Sequence, residues 1–122
     1  YEMILMAFEH GEMEKIASFL APEVLESFTA AVDAREAQGL TVEAKFLGLR
    51  DMALHDATFN HDTREAEVAV RFTGELHSVV RNKLGEVVEG SPTEIKRQRD
   101  VWTFARVMGS DDPNWRLVAT GD

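Results

Sequence analysis

Asp100-Val-Trp-Thr-Phe-Ala-Arg106 and, a few residues on, Trp115-Arg-Leu-Val-Ala-Thr120 decide how this chain folds. Both stretches are rich in β-branched and aromatic residues, and Gly109, Asp111, Asp112 and Pro113 between them are turn formers. The pattern predicts a closing β-hairpin with the only two tryptophans of the chain, Trp102 and Trp115, one on each strand. Apolar area of that size belongs in a core, so both rings are expected to be mostly buried and close together across the hairpin. No nucleophile with a base beside it lies here, which points to packing or binding rather than catalysis.

Reading back from the hairpin, the third strand starts near Glu94, after loops at Lys83-Leu-Gly-Glu86 and Glu89-Gly-Ser-Pro92. Before it, Ala66, Val68, Val70, Phe72, Gly74 and Leu76 alternate with Glu67, Arg71, Thr73, Glu75 and His77, the mark of a strand with one wet face. From Lys45 to Phe59 the apolar positions change parity along the run, which a long strand with one or two bulges explains. Asn60-His-Asp-Thr63 is the turn between these two strands.

The first third reads as helix. Met3, Ile4, Met6, Ala7 and Phe8 form an apolar helix that Gly11 can end. A second helix opens on Glu12 and Glu14 and buries Met13, Ile16, Ala17 and Leu20. Pro22 suits the first position of a third, with Val24, Leu25, Phe28, Ala31 and Val32 at helical spacing and Gly39 as its end. Helices followed by an antiparallel meander make an α+β domain. The expected architecture is N-terminal helices packed on a curved four-stranded antiparallel sheet, a cystatin-like or nuclear-transport-factor-like cone. A curled sheet closed by helices encloses a concavity, and Phe28, Val32, Phe46, Phe72, Phe104 and Leu117 are expected to line an apolar pocket there.

With 122 residues the chain is one domain. It has no cysteine, which removes disulfides and thiolate chemistry, and no apolar run long enough to span a bilayer. It begins at Tyr1 inside an apolar helical pattern, and is expected to be the C-terminal part of a longer protein. The net charge of −9 opposes nucleic-acid binding and general adsorption to anionic lipid. Residues 1–40 hold eight acids and two bases, so any basic surface must be a local patch on the sheet.

Trp102, Phe104 and Arg106, then Asp112-Pro-Asn-Trp115, then Leu117-Val-Ala-Thr120, resemble the ending of the Tim-forty-four-like domain family. Phe8-Glu-His-Gly11-Glu-Met-Glu-Lys-Ile16 and Leu20-Ala-Pro-Glu-Val-Leu25 resemble its opening, and between residues 41 and 99 the likeness is in pattern only. That family takes its name from the peripheral subunit of the mitochondrial inner-membrane import translocase and has bacterial relatives. The resemblance implies the same cone with a large apolar pocket. It also implies a non-enzymatic, membrane-associated adaptor linked to protein translocation or membrane-protein assembly, with membrane machinery or membrane proteins as partners. The mitochondrial members are basic. The acidic balance of this chain therefore favours a bacterial relative, held at the inner membrane by a separate anchor.

Other chemistry is weakly supported. His55-Asp56 and His61-Asp62 have no metal-ligand spacing, so no metal or cofactor is expected. A cone-fold enzyme would need a pocket carboxylate, for which Asp100 beside Trp102 is the best candidate and Asp56 with His55 the next. The plainer expectation for Asp100 is an ion pair with Arg71 or Arg99. Lys96, Arg97, Arg99 and Arg106, with Arg116 further on, are the one basic cluster. Such a patch suits a phospholipid headgroup or an acidic partner segment, and equally a solvated face balanced by Glu67, Glu75 and Glu94. Met3, Met6 and Met13 fill an irregular core or form an adaptable docking stripe. A lipid or small-molecule carrier is the alternative to the adaptor, and the enzyme the second alternative.

Overall fold

The computed structural model describes residues 1–121. In chain order it holds α1 (Glu2–His10), two single-turn 3-10 helices at Met13–Lys15 and Ala17–Phe19, and α2 (Pro22–Ala37). Four strands follow: β1 (Thr41–Phe59), β2 (Glu65–Arg81), β3 (Val87–Val107) and β4 (Arg116–Thr120). They form one antiparallel sheet in the order β1-β2-β3-β4, an α+β arrangement with the helices on one side.

The expected second α-helix is replaced by the two 3-10 turns. Gly11 ends α1 in the left-handed conformation, Pro22 forces Ala21 to be extended, and Ile16 leaves helical geometry between the two turns at φ −123 and ψ −2. Leu20 is extended as well, and bridges Leu117 of β4. Ile16 and Leu20 are nonetheless buried, so the chain delivers its apolar side chains without a continuous helix.

β1 carries three extra residues relative to β2, at Leu47, Arg50 and His55, which bend it and explain its parity shifts. Between Glu89 and Pro92 the chain is not simply loop. Val87 to Ser91 pair with Arg81 to Ser78, and the excursion is instead a bulge at residues 92–95 opposite His77. Ser91 Oγ accepts from the Thr93 and Glu94 N–H groups and the His77 ring meets the Glu94 carbonyl, so the bulge satisfies its own polar groups. From Lys96 to Val107 the register with β2 is unbroken.

Residues opposite each other across strands share a face. One face carries Phe46, Leu76 and Lys96, then Met52, Phe72 and Asp100, then Leu54, Val70 and Trp102. The helices cover part of this face. Ile4, Leu5, Ala7, Ile16, Leu20 and Val24 pack against Phe72, Trp102 and Leu117. Leu76, Ile16 and Leu117 are fully buried.

Trp102 is 4% exposed, as the sequence requires, but Trp115 is 37% exposed and stands just before β4. Trp102 pairs with Thr120, not with Trp115. The reason is register: the connection over residues 108–115 and a bulge at Val118 bring the far end of β4 beside Trp102 and leave Trp115 at the turn.

Candidate functional site

Tyr1 sits at the centre of the helix-facing side of the sheet. Its ring stacks on Phe72 at 4.4 Å, lies 4.7 Å from Trp102 and meets Phe46 edge-on at 6.3 Å. Gly74 makes the room: a Cβ there would come within 3.1 Å of Phe46 and 3.2 Å of Tyr1. The phenol donates to Asp100 Oδ2 at 2.6 Å, and the Gln98 amide donates to the same oxygen at 3.1 Å. Burial first, and then the bond to Asp100, push the phenol well above its ordinary ionisation range.

This placement gives Asp100 a role that residue types alone do not reveal. Its partners are Tyr1 and Gln98; Arg71 and Arg99 project from the opposite face of the sheet and make no ion pair with it. The expected Asp100–arginine pair is therefore corrected. For Arg99 strand alternation could have foretold this, because positions 99 and 100 of an unbroken strand cannot face the same way, whereas for Arg71 the register with β2 decides it.

The six residues expected to line an apolar pocket fall into two groups. Phe72 and Leu117 belong to the buried core, and Phe28, Phe46 and Phe104 are half-buried around it. Phe104 approaches Phe72 and Trp102 edge-on, each at 6.4 Å. Val32 is buried elsewhere, lining a groove of about 180 Å³ with Gly11, Arg35 and Leu40. There Arg35 closes the end of α1: its guanidinium donates to the Phe8 carbonyl at 2.7 Å and lies 5.0 Å over the Phe8 ring.

The basic cluster is divided by the sheet. Lys96 and Arg106 share the parity of Trp102, whereas Arg97 and Arg99 project from the other face. Arg106 donates to the Asp112 carbonyl and helps fold the β3–β4 turn, in a groove of about 360 Å³ with Glu65 and Arg116. Arg97 and Arg99 instead join Arg50 and Arg71, which the sequence reading left out of the cluster. Together they line a cleft of about 340 Å³ over Thr73. Asp51 reaches Arg71 at 3.4 Å and Glu75 reaches Arg50 at 3.9 Å. Among the described residues, Arg97 and Arg99 have no such partner. Only the pairing register, invisible in the sequence, could have grouped these four arginines.

His55, Asp56 and His61 are exposed. Among the described residues, no three His, Asp or Glu side chains are grouped to hold a metal ion. No helix among them is long and apolar enough to cross a membrane.

A half-covered curled sheet, a filled aromatic interior and an arginine-lined outer face define an α+β cone domain whose accessible features lie on its surface. The Tim44-like domain model matches residues 1–122, and the chain belongs to that family. It is 26% identical over 117 residues to the human mitochondrial import inner membrane translocase subunit TIM44. Over 120 residues it is 25% identical to the Arabidopsis thaliana subunit TIM44-1. The alignments take in 94% and 93% of this chain but only 25% of either relative, so the chain spans about a quarter of their length. Among solved structures, the intermembrane space region of the chloroplast protein ARC6 superposes with a TM-score of 0.61 at 15% identity. That match covers 95% of this chain and 82% of the other, and shows the shared fold.

Proposed function

We propose that this domain is a non-enzymatic adaptor, held at an energy-transducing inner membrane, that engages protein-translocation or membrane-protein assembly machinery through its outer surface. Membership of the Tim44-like family and the names of the import subunits support the translocation link. The observation that carries the adaptor reading is the state of the helix-facing side of the sheet. Around Tyr1 the aromatic side chains are packed together, yet Met52 and Leu54, directly opposite Phe72 and Val70, are 61% and 68% exposed. With Leu49 and Phe59 they form an apolar strip along β1 that the helices leave uncovered, the kind of surface that marks a protein contact.

The test is crosslinking in membranes from the source cells, using the full-length protein with a photoreactive residue at Leu49, in the same strip. Specific adducts with membrane-protein machinery, lost in Met52→Ser/Leu54→Ser, are expected. Adducts only with lipid, or none, would reject the adaptor.

The carrier alternative uses the space among Phe28, Phe46, Phe72, Phe104 and Leu117. Tyr1 occupies its centre, so a lipid could enter only by displacing that ring. Native mass spectrometry of protein isolated without detergent decides it: a bound lipid would favour the carrier.

A further inference from the structure

The two edges of the sheet differ. On β1, three bulges twist the ladder, and the His10 ring lies 3.0 Å from the Ala44 carbonyl oxygen and 3.4 Å from the Ala44 nitrogen. Bulges and covered backbone groups are how proteins keep a sheet edge from recruiting another strand. The edge of β3 lacks these devices between the 92–95 bulge and the end of β4. Among the described residues, β4 pairs only with residues 102–105, and the last bond on that side runs from the Gly121 N–H to the Val101 carbonyl.

Because backbone groups alternate along a strand, the N–H and C=O of Arg97 and Arg99 point the same way as the Val101 carbonyl, outward. The His77 ring meets the Glu94 carbonyl on the β2 side, consistent with that alternation. Lys96 to Asp100 is therefore a straight, five-residue length of open edge, in line with β4. A cleft of about 420 Å³ lined by His55, Arg71, Arg99, Asp100, Val101 and Gly121 opens where β4 ends, and it shares Arg71 and Arg99 with the arginine cleft over Thr73.

We propose that this edge is a strand-addition site for an extended acidic segment of a partner protein, which continues β4 along β3. Main-chain bonds to Arg97 and Arg99 supply affinity. Carboxylates on alternate residues of the segment meet the Arg97 and Arg99 guanidiniums, with Arg71 behind them. The charges also select: two copies of this edge repel each other, so the site admits an acidic strand and rejects self-pairing. This deepens the adaptor reading by giving the partner's chemistry. A strand can bind here whether or not the domain works with translocation machinery, so the two ideas fail separately.

The probe is a capped peptide of about eight residues, a usual strand length, alternating Glu with Val or Thr. Titrated into the 15N-labelled domain, it should shift the Arg97 and Arg99 amides and slow their hydrogen exchange. R97Q/R99Q should weaken binding by about tenfold or more, the scale expected from losing two charge-assisted contacts. R106Q, on the other face, should not change it. A peptide with N-methylated backbone and the same charges should bind at least about tenfold less tightly, since it cannot make the ladder bonds. Equal binding of the N-methylated peptide, or binding without exchange protection at Arg97 and Arg99, would overturn strand addition. So would absence of peptide binding where anionic phosphatidylglycerol vesicles bind through Arg97 and Arg99. Intrinsic fluorescence of buried Trp102 confirms that each variant is folded.

Discussion

The phenol of Tyr1 and the carboxylate of Asp100, ninety-nine positions apart, meet at 2.6 Å beneath the helices. This bond ties the first residue of the chain to the middle of β3. It also fixes the ring that stacks on Phe72 and abuts Trp102, so the start of α1 and the sheet are held as one unit. The ring lies against Phe46, Phe72 and Trp102, and Asp100 Oδ2 accepts two bonds.

Tyr1→Phe keeps the ring and removes the bond, and should cost about 1 kcal/mol in a urea melt at neutral pH. The pH dependence is more telling. The phenol is held above its ordinary value of about 10 in the folded state. Its contribution is complete below about pH 10, and is lost as pH rises further, because the unfolded chain ionises first. Stability should fall more steeply above about pH 10 in the native chain than in Tyr1→Phe. Parallel slopes would mean that the phenol is not buried.

The two tryptophans should behave differently. Trp102→Ala removes a buried ring and should cost about 3–5 kcal/mol, enough to unfold a marginal domain. Trp115→Ala, at an exposed turn position, should cost about 1 kcal/mol or less. Denaturant melts of the two variants check this, and equal large losses would refute the register of β4.

Gly90 should tolerate no side chain. It has φ +79, and a Cβ there would lie 2.0 Å from the Ser78 carbonyl oxygen. Gly90→Ala should cost more than about 1 kcal/mol and loosen the β2–β3 pairing between Ser78 and Arg81. Amide exchange at Val79 and Val80 gives the readout.

Arg35→Ala should cost about 1–2 kcal/mol, since it takes a donor from the Glu9 carbonyl and from the Phe8 carbonyl, which keeps only the Gly11 N–H, and removes the cation over the Phe8 ring. Arg35→Lys should restore little of it, because an ammonium cannot span two carbonyls in one plane. Helix content by far-ultraviolet circular dichroism at rising temperature separates fraying of α1 from global loss.

Much of the fold was legible because it rests on local periodicity. Alternation from Ala66 to Leu76 marks β2, the parity shifts after Phe46 mark a bulged β1, and Gly11, Pro22 and Gly39 punctuate the helical third. Legibility failed where a local pattern was overruled. Met13, Ile16, Ala17 and Leu20 have helical spacing, but Ile16 leaves helical geometry and an extended Leu20 bridges Leu117 of β4, so the segment stays as two single turns. Glu89-Gly-Ser-Pro92 has loop composition, yet most of it pairs with β2 because Gly90 can approach Ser78.

By itself, the sequence determined the order of helices and strands, the apolar residues that fill the interior, and the net acidic charge. Each depends on composition or on spacing within one segment. Tertiary structure alone decided which distant residues meet: Tyr1 with Asp100, Arg97 and Arg99 with Arg50 and Arg71, and Trp102 with Thr120 instead of Trp115. The reason is that strand register and bulge position set which face each side chain takes. A shift of one residue reverses them all, at no visible change in the sequence.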